Sequence, residues 1–250
     1  MLVLALDSST PTLSLALFDT DSRRLIKERA FEPGRAHSVL LPASVQQLVE
    51  DCGLTLNDVG GIAVGLGPGS FTGLRVGLAT AKGIGYARQI PLAGVSSLRA
   101  MARTTSELLP QGILLVPCLH ARRNEVYAGF YRSGSLESVS EETAGSPAAL
   151  AKHLGEHSGS PVLFGNGREA NLTAFAAFRP PPADAPTTPA AGSVARLVEA
   201  WGSYDAVANF ALEPHYIRAS EAEVKFPNGL TSPGVASSRI QDSRKVRRRS

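Results

Sequence analysis

A short apolar run, Ile62 to Leu66, leads into the glycine-rich segment GLGPGSFTGLRVG, and a helical pattern follows from about Leu74 to Arg88. Within it Gly73, Gly77, Ala81 and Gly85 recur every four residues, which puts them on one helix face and lets the backbone approach another element closely. Each glycine costs a helix about 1 kcal/mol relative to alanine, so three of them predict a compensating close contact. That contact is either with the helix's own sheet or with a partner's helix. Leu74, Leu78 and Tyr86, on a neighbouring face, suit a partner if the small stripe meets the sheet.

Around this unit the chain alternates regularly. Leu2, Leu4 and Leu6 interleave with Val3 and Ala5, the pattern of a strand buried on both faces, and the run ends at Asp7-Ser8-Ser9-Thr10-Pro11. Leu13, Leu15 and Leu17 alternate with Ser14, Ala16 and Phe18, and Leu25 to Phe31 reads as a third strand. Connections this short make the three antiparallel. Leu40, Leu41, Val45, Leu48 and Val49 predict a helix from His37 to Cys52, closed by Gly53, with Pro42 either marking its first turn or kinking it. A strand at Leu92 to Val95 precedes Ser96-Ser97, which can cap a helix starting near Leu98.

Three antiparallel strands followed by β-α-β-α are the layout of a ribonuclease H-like lobe. The pattern then restarts, with strands expected at Ile113 to Leu119, Glu125 to Arg132 and Leu136 to Val139, a helix around Ala148 to Leu154 and a strand at Val162 to Gly165. The expected fold class is therefore α/β with two such lobes of mixed sheets flanked by helices, 1–105 and 106–226. The proline-rich Arg179 to Thr188 reads as an exposed loop, Ser193 to Trp201 as a helix, and 227–250 as a disordered basic tail.

No apolar run reaches the roughly 18 residues that span a bilayer, and Asp7 interrupts the start before a signal-peptide pattern completes. The expectation is a cytoplasmic protein with no membrane contact. Two cysteines, Cys52 and Cys118, cannot make a disulfide framework and read as buried small hydrophobes. The formal charge of +3 less the five bases of 244–249 leaves −2, so the basic balance belongs to RKVRRR at the end. That run reads as a solvated terminus, and the body offers no electrostatic footprint for nucleic acid.

The segment holding Gly65, Gly67, Gly69, Ser70, Thr72 and Gly73 lies between strand and helix, where backbone amides can cradle an anion. It lacks the Gly-Lys-Ser/Thr of a Walker loop, since Gly73 is followed by Leu74 and Arg75, and Lys82 comes two turns later. A phosphate cradle and a purely structural turn both fit. Asp7, Ser8, Ser9 and Thr10 occupy the hairpin where actin-like ATPases and sugar kinases hold phosphate with an Asp-x-Gly turn. Here Ser9 stands for the glycine and narrows the backbone's approach, which makes this a degenerate phosphate turn or a simple Asp7-capped turn. His37 has Leu41 rather than a second histidine four residues on. His153 and His157 have that spacing, but among glycines, so no metal site is expected.

LALDSSTPTLSLALFD, HSVLLP, the long block from Gly61 to Ala102, ARRNEVYAGFY, GNGR and EPHYIRASEAEVK follow one another as the successive blocks of the TsaB family, and the chain resembles that family from Leu2 to about Lys225. The resemblance implies a fold of the actin, Hsp70 and sugar-kinase group without its catalytic groups. It implies a non-catalytic subunit that pairs with TsaD and, with the ATPase TsaE and the carbamoyl-adenylate maker TsaC, supports threonylcarbamoyl transfer to the adenosine beside the anticodon of tRNA. No cofactor is implied for the isolated chain, which would form homodimers when alone; whether it touches tRNA is left open. Carried over by position, the pairing face is His37, Leu40, Leu41, Val45 and Leu48 on one helix with Arg75, Leu78, Lys82 and Tyr86 on the next. His120 stands where the family generally has an acidic residue. The competing readings are an ATP-dependent kinase or ATPase using the Gly65 to Gly73 loop, and a protease, which the missing histidine pair opposes.

Overall fold

The computed structural model describes residues 1–32, 37–157, 160–198 and 201–217, the side chains of 37–39 excepted. The expected disorder of 227–250 and the role of RKVRRR lie outside the described residues.

Strands β1 (Leu2–Asp7), β2 (Leu13–Asp19) and β3 (Arg24–Phe31) form an antiparallel meander, with Leu4 opposite Leu17 and Ala16 opposite Glu28. Helix α1 (His37–Glu50) then leads to a 3-10 turn at Leu56–Asp58 and to β4 (Val59–Gly65), which pairs parallel to β1. Helix α2 (Phe71–Arg88) crosses to β5 (Leu92–Val95), parallel to β4, giving the order β3-β2-β1-β4-β5. This is the ribonuclease H-like arrangement expected from the alternation.

Period-two alternation in β1 and β2 sorts their side chains between two cores. Leu4, Leu6, Leu13, Leu15 and Leu17 meet Leu41, Val45, Leu48 and Val49 of α1 with Leu78 and Ala81 of α2. Val3, Ala5, Ala16 and Phe18 meet the other layer, where Ala191, Val194 and Ala195 of α6 (Ala191–Arg196) pack beside Ala100 of α3 (Ser97–Ser106). Gly53 ends the α1 region at φ 70°, the left-handed terminator expected. Pro42 lies in the second turn of α1 rather than its first.

The second sheet repeats the scheme. Strands β6 (Leu114–Arg122), β7 (Glu125–Arg132) and β8 (Ser138–Gly145) form a meander, and β9 (Val162–Phe164) lies parallel to β6, in the order β8-β7-β6-β9. Helix α4 (Pro147–Gly155), capped by Ser146, covers one face with Leu150 and Leu154, and α5 (Asn166–Glu169) follows β9. Leu98, Met101 and Ala102 of α3 cover the other face, so α3 contributes to a core on each sheet. Arg179 to Thr188 carries no helix or strand.

Three expectations shift. The strand anticipated at Leu136 to Val139 begins at Ser138 and runs to Gly145, because Tyr131 pairs with Ser138 and the intervening residues make the turn. Leu136 sits in that turn at φ 55° and still plugs the core, so its apolar signal marked a buried turn side chain. Helix α2 begins at Phe71, three residues early, because the Ser70 side chain accepts from the Gly73 amide at 3.2 Å. Helix α6 runs only from Ala191 to Arg196, earlier and shorter than Ser193 to Trp201. Cys118 is buried, and burial pushes its thiol up to about 12, while Cys52 is half-buried. Among the described residues no helix is long and apolar enough to cross a membrane.

Candidate functional site

Asp7 ends β1 fully enclosed. Its Oδ1 accepts from the Ser9 amide at 2.9 Å and the Ser9 hydroxyl at 2.6 Å, and its Oδ2 accepts from the Ser97 hydroxyl at 2.6 Å. Ser97 Oγ also accepts from the Gly67 amide at 3.1 Å, and the Ser97 amide donates to the Gly67 carbonyl at 2.8 Å. Of the serine pair expected to cap α3, Ser96 does so, accepting from the Arg99 amide. Ser97 instead ties the first turn to the glycine loop, a role with no local sequence signal because its partners are 30 and 90 residues away.

The loop closes directly onto the turn. The Ser70 amide donates to the Ser9 carbonyl at 2.7 Å, and the Ser8 hydroxyl donates to the Gly73 carbonyl at 2.9 Å. A Cβ at Gly69 would lie 2.0 Å from the Ser9 carbonyl oxygen, one at Gly73 would lie 2.2 Å from the Ser8 carbonyl oxygen, and one at Gly77 would lie 2.1 Å from the Ser8 hydroxyl. Gly65 packs under the Asp7 carboxylate, and Gly67, at φ 96°, sits against Leu74. Of the two partners considered for the small-residue stripe, its own sheet and first turn are what it meets, with Gly85 against Leu92 at the far end. The loop and the turn that kinases use for phosphate are packed on each other, and Ser8, Ser9 and Thr10 are all buried. Thr10 donates to the Thr12 carbonyl, and Thr72 is exposed.

Burial raises the Asp7 pKa, opposed by the hydrogen bonds from Ser9 and Ser97. The folded state therefore holds this proton to higher pH than the unfolded chain does. Its contribution to stability is full below the unfolded value, near about 3.9, and is lost as pH rises through the folded value. Asp7→Asn preserves the shape without ionising. Urea titrations at increasing pH are expected to show stability moving in favour of the variant, and a gap that does not change with pH would sink this account.

Ser96, beside this cluster in the chain, lines a polar cavity of about 670 Å³ with Arg99, Tyr131, Glu142 and His215. Glu142 accepts from the hydroxyls of Ser96 and Tyr131, which ties β8 to α3. Desolvation and the adjoining Glu142 carboxylate hold the Tyr131 phenol well above its ordinary range.

The residues expected on a pairing face separate into two groups. Leu41, Val45 and Leu48 are fully buried in the first core, and Leu78 is 5% exposed. Their spacing marked the inward side of α1 and α2, and each contributes about 1.5 to 3 kcal/mol to this chain's own fold. Leu40, Arg75 and Tyr86 are exposed and Lys82 is half-buried; the His37 side chain lies outside the described residues. Arg75 stacks over Phe71 at 3.9 Å and donates to the Tyr216 hydroxyl at 3.0 Å, while Lys82 donates to the Phe210 carbonyl at 2.8 Å. Phe210 and Tyr216 had no periodicity to single them out. Exposed His120 donates its amide to Asn166 at 2.8 Å. His153 and His157 meet ring to ring at 4.7 Å, with His157 Nδ1 against the His153 carbonyl.

A two-sheet α/β protein whose glycine loop seals its first turn is thus defined, and the family model described as "TsaD: tRNA N6-adenosine threonylcarbamoyltransferase" matches residues 31–183. The chain is 36% identical over 166 residues to the tRNA threonylcarbamoyladenosine biosynthesis protein TsaB of Bacillus subtilis, covering 66% of this chain and 70% of that one. It is 30% identical over 173 residues to the protein of the same name from Escherichia coli, covering 68% and 73%. Among solved structures, YeaZ from Pseudomonas aeruginosa superposes with a TM-score of 0.64 at 27% identity, over 79% of this chain and 91% of that one. A second, described as an uncharacterized protein with similarity to peptidase YEAZ from Pseudomonas aeruginosa, gives 0.69 at 25% identity, over 87% and 99%. The chain belongs to the TsaB family.

Proposed function

We propose that this protein acts in tRNA threonylcarbamoyladenosine biosynthesis as a non-catalytic subunit that pairs with TsaD and, through that complex, works alongside TsaE in the cytoplasm. The observation that carries the non-catalytic reading is the contact between the glycine loop and the first turn. Ser9 and Ser8 carbonyls occupy the space over Gly69 and Gly73, and the Ser70 amide that a phosphate would need donates to Ser9. Asp7, the carboxylate a metal would need, is enclosed by hydroxyls of the same chain. Membership of the TsaB family, whose relatives carry the pathway in their names, supports the process. In this reading the chain divides into lobes at 1–105 and 106–226, one sheet in each, with α6 and the residues around Asn209 returning from the second span to pack on the first sheet, and the pairing face lies on the outward side of α1 and α2, at Leu40, Arg75, Lys82 and Tyr86.

Calorimetry with magnesium-ATP on the free chain, followed by threonylcarbamoyl transfer by TsaD with and without the chain, tests this. The free chain is expected to give no ATP heat, and transfer is expected to depend on its addition. Micromolar ATP binding by the free chain would replace this reading with a kinase or ATPase using Gly65 to Gly73.

A further inference from the structure

At the end of the second sheet where β6 and β9 begin and β7 finishes, four separate segments enclose a pocket of about 330 Å³. That volume falls at the lower end of the range for small-molecule sites, about 300 to 1,000 Å³. Its polar lining is Arg132, His157, Ser160 and Arg179, beside an apolar wall that includes Ile113 and Pro161. Among the described residues the lining contains no carboxylate.

Each cationic arm is placed by its own segment. Buried Ser133 accepts from the Ile113 amide at 2.8 Å and donates to the Pro110 carbonyl at 2.6 Å, which fixes the entry to β6 against the end of β7. Arg132 reaches across this junction and donates from Nη1 to the Gly112 carbonyl at 3.1 Å, leaving Nε and Nη2 uncommitted among the described residues. His157, just beyond α4, donates from Nδ1 to the His153 carbonyl at 3.0 Å, since a carbonyl can only accept. Nε2 is then the ring's remaining polar atom. Arg179 precedes Pro180, Pro181 and Pro182, whose rings hold the backbone extended, so its guanidinium swings from a stiff base. Among the described residues neither arginine pairs with a carboxylate. Glu137 is close to Arg132 along the chain, and its carbonyl accepts from the Arg132 amide, but its side chain lines the cavity of Arg99 and Glu142 instead.

Two guanidinium groups, an imidazole and a hydroxyl around a space without carboxylates define an anion site. Guanidinium forks match the paired oxygens of phosphate, and charge-assisted hydrogen bonds are the stronger kind. We propose that this pocket binds the phosphate group of a small phosphorylated molecule, with Arg132 and Arg179 on its oxygens and His157 Nε2 accepting from its P–OH. The confined volume suits one phosphate with a short organic body on the Ile113 and Pro161 wall, rather than a polynucleotide backbone. This site is separate from the sealed turn of Asp7 to Thr10 and does not depend on pairing with TsaD.

Calorimetry of the full chain with inorganic phosphate, and separately with a short single-stranded RNA, tests the assignment. Inorganic phosphate is expected to bind with a Kd of about 1 mM or tighter. Arg132→Gln and Arg179→Gln are each expected to weaken it by roughly tenfold, the loss of one charge-assisted hydrogen bond. Arg179 makes no hydrogen bond within the described residues, so a loss in its variant reports the site rather than the fold. Arg123→Gln, at an exposed arginine just beyond the opposite end of β6, is expected to bind as the wild type does. Absence of phosphate binding, or phosphate binding indifferent to both substitutions, overturns the site. RNA binding that both substitutions weaken, with no binding of inorganic phosphate, assigns the pocket to a polynucleotide backbone and overturns the small-molecule assignment.

Discussion

Gly69→Ala is expected to destabilise the protein by about 3 kcal/mol, the top of the usual range for overpacking. That corresponds to a fall in Tm of roughly 6 to 12 °C for a chain of this size. The new methyl would lie 2.0 Å from the Ser9 carbonyl oxygen, and what it meets is backbone, which cannot swing aside as a long side chain would. That carbonyl also accepts from Ser70, so moving it costs a buried hydrogen bond as well. Gly83→Ala gives the matching control. Gly83 is exposed within α2 with nothing near its missing Cβ, so alanine there is expected to stabilise by about 0.5 to 1 kcal/mol. Thermal melts of the two variants separate a packed loop from an open one. A Gly69 variant as stable as the wild type would mean that the loop stands clear of the turn and has room for a ligand.

Leu78→Asp is expected to cost on the order of 4 kcal/mol, because it removes a buried leucine and leaves a carboxylate unpaired in the core. Leu78 belongs to the same cluster as Leu41, Val45 and Leu48. Leu40→Asp, at a side chain 40% exposed, is expected to stay within about 0.5 kcal/mol of the wild type. Urea denaturation distinguishes them, and equal stabilities would place Leu78 on the surface. If the forecast holds, loss of a partner by a Leu78 variant reports unfolding, so binding experiments belong at the exposed Leu40, Arg75 and Tyr86.

The aspartate turn illustrates how far a local reading reaches. Ser9 in place of glycine argued from sequence against backbone approach by a phosphate. The structure adds that the Ser9 carbonyl and hydroxyl are both engaged within the chain. Ser97, the third arm of the Asp7 cluster, was visible only as a helix cap, since nothing in a sequence reports a hydrogen bond across 90 residues.

Alternation by itself determined the two-sided burial of β1 and β2, because a strand's side chains must alternate between faces. The spacing of Gly73, Gly77, Ala81 and Gly85 determined that α2 has one bare face, because fourfold recurrence stacks residues along a helix. The Leu-rich pattern of α1 equally determined that one side is apolar. Neither spacing says what that face touches, since a core and a partner offer the same contact to a leucine. Only the tertiary structure decided that both faces turn inward, that polar Ser138–Gly145 is a strand held by pairing with β7, and that Asn209 lays Phe210 and Tyr216 over α2. Those outcomes rest on contacts between segments far apart in the chain, where local periodicity carries no information.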